Sequence, residues 1–385
     1  MVTFIHTSDW HIGNRFIHFG RQAREQLNLA RLKVVKTIFI YARKNKIPLI
    51  LCAGDTIDNG QLAREEHLQA LFEIIEQHPD IKVVMIAGHH DPLITNNVYQ
   101  RVGKENFPKN LYLVEGNKIV TLEPMDLKIF AASSVGKNDT SNPLNWIKKG
   151  VADEVKINIG LAHYFPIKPG FAKKKGLDYL ALGNLHSSKK IDEYTYYCGT
   201  PEQMEFGDEG FPLKVTIERR GAKPIVEPIT GVHQYHWISE ELKVSNKQFN
   251  NFRKQLGSIG HREIKRLIIS GSLSPGNYIT YKELLQEMKI QSHYYGIIDH
   301  VSLEPGNDDL LGIGDPYIKA VVQRLIELKN SEGILPKDTL NGVVPMSQTA
   351  VVSILNNISR GEIIEQALLK MYSHFKESIQ DDRVV

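Results

Sequence analysis

The feature that most limits the fold is a pair of continuous apolar runs, "IPLILCAGD" (47–55) and "DIKVVMIAG" (80–88), each broken off at a glycine. A run without polar alternation suits a strand buried on both faces, which needs covering layers on each side. The material for those layers lies between and before the runs. "AREQLNLARLKVVKTIFIYARKN" (23–45) and "LAREEHLQALFEIIEQHP" (62–79) repeat apolar residues at three- and four-residue spacing and predict amphipathic helices, the second closed by Pro79. With "VTFIHTSD" (2–9) as a first strand, the order is β-α-β-α-β, which predicts a layered α/β sandwich.

Further strands are predicted in "NLYLVE", "KIVTLEP" and "LKIFAAS", then in "KINIGLAHY", "DYLALGNLH" and "TYYCGTP". Residues 211–230, "FPLKVTIERRGAKPIVEPIT", read as a hairpin with a glycine-containing turn. The composition shifts near residue 231. From "YHWISEELKVSNKQFNNFRKQL" to "IIDHVSLEP" the pattern predicts helix, strand, helix, strand, with "IKRLIISGSL" the clearest strand. The expected division is therefore 1–230, then a small α/β domain at 231–305, then a C-terminal part at 306–385. That last part holds the linker-like "EPGNDDLLGIGDP", the helical patterns "YIKAVVQRLIELKN" and "GEIIEQALLKMYSHFKES", and a disordered tail "IQDDRVV".

Composition excludes some classes. At 385 residues, 42% hydrophobic and 24% charged, the chain has the profile of an ordinary globular protein. A net charge of +3 permits a nucleic-acid partner without arguing for one. Cys52 and Cys198 build neither a disulfide framework nor a cysteine zinc motif, and their apolar surroundings predict buried thiols. "MVTFI" is too short for a signal core and no run reaches membrane-spanning length, so the expected location is the cytoplasm.

The chemistry gathers where strands end. "SDWH" offers Asp9 and His11; "GDTID" offers Asp55 and Asp58; "GHHD" offers His89, His90 and Asp91; "AHY" offers His163; "GNLH" offers Asn184 and His186. Ligands bind at this edge of an open α/β sheet. One such cluster is an ordinary polar turn, since Asp and Asn favour turns. Five of them point to a metal site. Nitrogen and oxygen donors without thiolate suit manganese, iron or zinc. There are enough donors for two ions, which favours phosphate-ester hydrolysis over a structural zinc.

Those five segments, in that order, resemble the signatures of calcineurin-like metallophosphoesterases. The opening "IHTSDWHIG" and the later "YYCGTPEQMEFGDEG" are similar to one branch, the SbcD/Mre-type nucleases of DNA double-strand-break repair. The likeness is strong over 1–215, architectural to about 305 and suggestive beyond. It implies a metallophosphoesterase β-sandwich flanked by helices, a small α/β DNA-capping domain and C-terminal helices that dock on an SMC-like ATPase of the SbcC type. It also implies a homodimer built through helices near 62–78, where Leu62, Leu68, Leu71, Phe72 and Ile75 offer apolar surface. The activity implied is manganese-dependent 3′-to-5′ exonuclease action on duplex DNA and endonuclease action on single strands. A small-substrate metallophosphodiesterase and a DNA-end-binding scaffold with reduced catalysis stay open beside it.

Carried over, the resemblance assigns one ion to Asp9, His11, Asp55 and His186, with Asp55 bridging to a second ion that His163 also binds. The chain departs from the family twice: "GHHD" has His89 where the family has Asn, and "GNLH" has Asn184 where it has His. Together the departures keep one imidazole and one amide, so an exchange of ligands between two loops is expected; loss of the second site is the alternative. His90 is the family's residue beside the ions that protonates the departing oxygen. Asp91 either orients that imidazole or caps a turn. Asp58 is expected behind the ligands. Arg15, Lys189 and Lys190 are candidates for phosphate contact, with Arg21, Arg24 and Lys173 to Lys175 as further basic positions, though exposed cations are usually just solvated surface.

Overall fold

A computed structural model of the chain describes residues 1–134, 136, 142–148, 155–256, 262–291, 295–304, 316–330, 363–365 and 367–371. In chain order the first half runs β1 (Val2–Thr7), α1 (Arg21–Lys44), β2 (Leu49–Ala53), α2 (Glu65–Glu76), β3 (Lys82–Ile86), α3 (Val98–Val102), β4 (Leu111–Val114), β5 (Asn117–Leu122) and β6 (Leu127–Ala132). It continues with β7 (Ile157–His163), α4 (Phe171–Lys174), β8 (Tyr179–Gly183), β9 (Lys189–Asp192), β10 (Thr195–Tyr197), β11 (Leu213–Ile217) and β12 (Ile225–Pro228). These strands form two six-stranded sheets, ordered β12-β11-β1-β2-β3-β4 and β5-β6-β7-β8-β10-β9.

The period of two along each strand sorts its side chains between layers. In β2, Leu49, Leu51 and Ala53 face the interior shared with Ile129, Leu161 and Ala181 of the other sheet. Ile50 and Cys52 point the opposite way, onto Val35, Ile38 and Phe39 of α1 and Leu71 of α2. The second sheet buries Leu180, Leu182 and Phe130 on its outer face under Leu144, Ile147 and Ala172. Both faces of the central strands are therefore covered, which is why β2, β7 and β8 are buried along their whole length and read as unbroken apolar runs. The expected layered α/β fold and the 211–230 hairpin are borne out; β11 and β12 pair antiparallel from Leu213–Pro228 to Thr216–Ile225. Both cysteines are free and buried.

The described residues divide into two compact units, one within Met1–Ser239 and 262–266, the other from Glu240 onward. The three-stranded sheet β13 (His236–Ser245), β14 (Glu263–Leu273), β15 (Tyr295–Leu303) is ordered as in the chain, with α5 (Phe249–Leu256) and α6 (Pro275–Gln291) between its strands. "HWISEELKVS" is thus a strand, where a helix was expected. Its glutamates and leucine favour a helix locally, but ten residues pair within the sheet and that outweighs propensity.

Helix α7 (Pro316–Asn330) follows. Its Val322, together with Ile364 and Leu368 of the last helical residues, is buried in the same core as Leu267, Ile269 and Tyr281. The helices expected beyond 306 therefore share a core with the 231–305 segment. Most of the "EPGNDDLLGIGDP" stretch and the tail lie outside the described residues, as do parts of the 361–376 helix. The apolar surplus expected on the second helix is not found: Leu68, Leu71, Phe72 and Ile75 are buried in the chain's own core. Leu62 is exposed but precedes the helix. Among the described residues no helix is long and apolar enough to cross a membrane.

Candidate metal centre

Strands β1, β2, β3, β7 and β8 all end on one edge, and their loops are stitched together there. Asp9 N donates to Gly54 O at 3.0 Å, His11 N to Asp55 O at 3.0 Å and Gly60 N to His90 O at 2.9 Å. The backbone is bent hard to achieve this. Asp9, His11, Asp55 and Asn184 have φ of 53°, 42°, 50° and 97°, in the left-handed region that costs most side chains about 1–3 kcal/mol. Gly88 leaves the space that Asp55 occupies: a Cβ there would lie 2.1 Å from Asp55 Oδ1.

The carboxylate of Asp55 sits at the centre. Its Oδ2 lies 3.1 Å from His163 Nε2, 3.3 Å from His89 Nδ1 and 3.8 Å from His11 Nε2. His11 Nε2 is in turn 3.9 Å from Asp9 Oδ1. Among the described residues, four groupings of donor atoms are close enough to hold an ion: Asp9, His11 and His186; Asp9, Asp55 and His163; Asp55, His89 and His90; and His11, Asp58 and His90. The structure thus brings together Asp9, His11, Asp55, Asp58, His89, His90, His163 and His186. His90 belongs to two of these groupings. Asn184 is adjacent through its backbone, its N–H reaching both Asp9 oxygens at 3.2 Å.

Polar partners on the far ring nitrogens turn two of the imidazoles into the site. His163 Nδ1 donates to Ala53 O at 2.8 Å, which turns Nε2 toward Asp55. Asp58 Oδ1 receives His11 Nδ1 at 3.1 Å and Asn14 Nδ2 at 2.9 Å, which turns His11 Nε2 toward Asp9 and Asp55. A carboxylate behind a ligating histidine fixes its tautomer and raises its basicity. His11 Nε2 is then fully buried with no hydrogen-bond partner, and the equally buried Asp55 Oδ2 faces imidazole nitrogens. Orphaned acceptors of this kind are costly in a core unless a cation meets them. The donor set fits a divalent metal ion.

Burial and the neighbouring charges shift these groups in different directions. Burial pushes His11 and His89 down to about 4, so both present neutral imidazoles. Burial raises Asp9 to about 6, with Asp55 adding to it. Burial would also raise Asp55, but His163, His11 and His89 outweigh it and hold that carboxyl well below the usual range. His163 rises to about 9, because Asp55 and Asp9 overcome its burial.

Asp91 differs from the expectation that it orients His90. Its carboxylate accepts Thr56 N and Ile57 N at 3.0 and 3.1 Å, Gly88 N at 2.7 Å and Tyr99 Oη at 2.6 Å. It braces the "GDTID" loop against the "GHHD" loop. The partner of His90 Nδ1 is Asp58 O, at 2.7 Å. Among the basic candidates, Lys189 lines a cleft with Asn184, His186 and Asp208. Lys190 pairs with Glu193 at 2.9 Å, and Arg15 is exposed. Arg21 pairs with Glu25, Arg24 donates to Phe19 O, and Lys175 donates to Ile147 O.

Sequence reasoning missed several residues that hold the ligands. Ser8 Oγ donates to Asp9 Oδ2 and lies 3.0 Å from Cys198 Sγ. His6, buried on β1, lies 3.0 Å from Tyr179 Oη and 3.2 Å from Leu182 O on β8, strapping two ligand-bearing strands together across the sandwich. Asp208 Oδ2 faces His186 Nδ1 at 3.8 Å. Its place in "FGDEG" was the only available signal.

Residues 2–198 match the calcineurin-like phosphoesterase family, and the chain belongs to it. Within that family it is similar to the SbcD component of the SbcCD nuclease of Escherichia coli K12, 24% identical over 258 residues, covering 54% of this chain and 62% of the relative. The SbcD component of the same nuclease from Rhodobacter capsulatus is 28% identical over 95 residues, 24% of this chain and 22% of the relative. The chain thus spans less than two thirds of these relatives' length. Among solved structures, "GAP50 the anchor in the inner membrane complex of Plasmodium" aligns with a TM-score of 0.35 and 12% identity, over 59% of this chain and 84% of that one. The expected resemblance to the SbcD branch is borne out.

Proposed function

We propose that the chain is a two-ion phosphodiesterase that processes DNA ends, with Mn²⁺ as its native ion and an SMC-like ATPase of the SbcC type as its partner. One observation carries the reading. Asp55 Oδ2 is buried, with imidazole nitrogens of three histidines around it, His163 at 3.1 Å, His89 at 3.3 Å and His11 at 3.8 Å. A carboxylate so placed suits a bridge between two ions. Asp9, His11 and His186 would complete one position; His89, His163 and Asn184 would complete the second. A pair of divalent ions supplies a hydroxide near neutral pH and offsets the charge of the reacting phosphate.

The chain's own groups account for the rest. His90 is half exposed, and Asp58 O holds its Nδ1, so Nε2 remains to give a proton to the departing oxygen. Lys189, which lines a cleft with His186, would contact a strand phosphate in this reading. The similarity to SbcD nucleases supports reading DNA as the substrate, with 3′-to-5′ action on duplex ends and internal cleavage of single strands. In the same reading the segment beyond 231 caps the DNA and the C-terminal helices contact the ATPase. A homodimer belongs to the reading on that resemblance alone, and a strictly monomeric mass at micromolar concentration would remove it.

The test incubates the purified chain and Mn²⁺ with end-labelled linear duplex, single-stranded circular DNA and bis-p-nitrophenyl phosphate. Cleavage of both DNAs, abolished by chelator, is expected. Turnover of the small ester alone would make it a small-substrate phosphodiesterase. Metal binding without either activity would make it an end-binding scaffold.

A further inference from the structure

Arg31 lies on α1, a helix that supplies no ligand to the centre, yet it is only 2% exposed. Its residue type reads as surface, but it falls in the buried stripe of the helix, four residues after Leu27 and three before Val34. Its guanidinium meets backbone carbonyls rather than a carboxylate. Nη1 donates to Trp10 O at 2.6 Å, and Nη2 donates to Glu202 O at 3.2 Å with Gln203 O at 3.5 Å. Nε is buried without a partner. Burial lowers this group to about 10, so it stays cationic at neutral pH. Carboxyl groups of Glu202, Asp58, Asp208 and Asp9 act on it from nearby. A buried charge without a direct ion pair is costly, and such an arrangement persists where the surroundings need it.

The carbonyls explain what it holds. Trp10 is the residue between Asp9 and His11, both in the left-handed region. Its carbonyl fixes the orientation of the peptide that leads into His11. Glu202 and Gln203 open the loop that leads to Asp208, whose Oδ2 accepts Met204 N and Glu205 N and faces His186 Nδ1. Thr200 reinforces the same junction, its hydroxyl lying 2.8 Å from both Asp9 O and Glu202 O. One guanidinium therefore ties the loop of Asp9 and His11 to the loop that backs His186. None of its bonds reaches the loops of Asp55, His89 or His163.

We infer that Arg31 is a positioning residue for the ion held by Asp9, His11 and His186, fixing those three ligands relative to one another while leaving the other ion's ligands untouched. This rests on the two-ion reading above.

Calorimetric titration of the metal-free full chain with Mn²⁺ tests it. His186→Ala and His89→Ala identify which binding step belongs to which position. Arg31→Lys keeps a buried cation but not the fork. It should weaken the step that His186→Ala abolishes by roughly ten- to a hundredfold, the range for residues that orient ligands, and shift the other step by less than about twofold. Thr200→Val, nearly isosteric, should move the same step in the same direction by a smaller factor, and it serves where Arg31→Lys does not fold. Asn110→Ala controls for stability. That side chain bonds Ile75 O, His78 O and Ile81 O, away from the centre, so the variant should melt lower with both steps unchanged. Equal weakening of both steps in Arg31→Lys or Thr200→Val, or no change in either, overturns the role of Arg31. Absence of Mn²⁺ binding in the parent chain overturns the two-ion reading itself, and this inference with it.

Discussion

His89 Nδ1 lies 2.9 Å from His163 Nε2, and the two imidazoles share Asp55 Oδ2 as their common neighbour. The histidine that stands where the family carries asparagine is therefore on the same side of Asp55 as His163 of β7. For His89 that is the placement an exchange with Asn184 requires, while Asn184 is fixed through its backbone N–H to Asp9. Two residues that share one ion are energetically coupled. His89→Asn should weaken one of two metal sites, because an amide oxygen is a poorer donor than imidazole. Adding Asn184→His should restore affinity beyond the sum of the single effects. A double-mutant cycle on Mn²⁺ affinity reads this directly, and strict additivity would separate the two positions.

Replacing His90 by Asn should leave both ions and DNA affinity in place while lowering turnover by roughly a hundredfold or more, the scale of a lost positioned acid. His90 also lies within two of the donor groupings. Metal stoichiometry is therefore measured alongside turnover, and loss of an ion would make His90 a ligand.

Asp91 is a matter of stability. Its carboxylate satisfies three backbone N–H groups and the Tyr99 hydroxyl, all buried. Asp91→Ala strands those donors and should cost roughly 3 kcal/mol or more in denaturant unfolding, while Tyr99→Phe should cost roughly 1–2 kcal/mol. An Asp91→Ala chain as stable as the parent would mean water replaces the carboxylate.

Glu202 should make stability fall with rising pH. Its carboxyl is buried, and burial raises it from 4.5 to about 7 even though Gln234 N and Tyr235 N donate to it. The folded state therefore holds this proton more tightly than the unfolded chain. The resulting stabilisation is complete below pH 4.5 and lost as pH rises toward 7. Glu202→Gln should flatten that part of the stability profile, measured by urea unfolding at a series of pH values. An unchanged slope would assign it to another group.

Much of this was legible in the chain because its signals are local. The unbroken runs around Leu51 and Val84 could only be doubly covered strands, and ligands fall directly after them. The alternation of inward Leu49 and Leu51 with outward Ile50 and Cys52 was hidden, since every residue on both faces is apolar. "HWISEELKVS" was misread because a half-exposed strand with glutamates has no clean period of two. The role of Asp91 could not be read either. Adjacency to His90 suggested a pair, but consecutive residues in a tight turn point different ways, and two of its four partners, Thr56 and Ile57, lie on a loop over thirty positions earlier. Arg31 and His6 act across the fold, through contacts that no spacing encodes.

The central claim is that Asp55 bridges two ions, and metal stoichiometry tests it most directly. Calorimetric titration with Mn²⁺ should give two equivalents for the parent chain. Asp55→Asn keeps the size of the side chain but removes its charge, leaving two ions to repel one another without a shared anion. It should hold fewer than one tight equivalent and cleave no DNA. Two equivalents bound by Asp55→Asn with the parent's affinity would contradict the account.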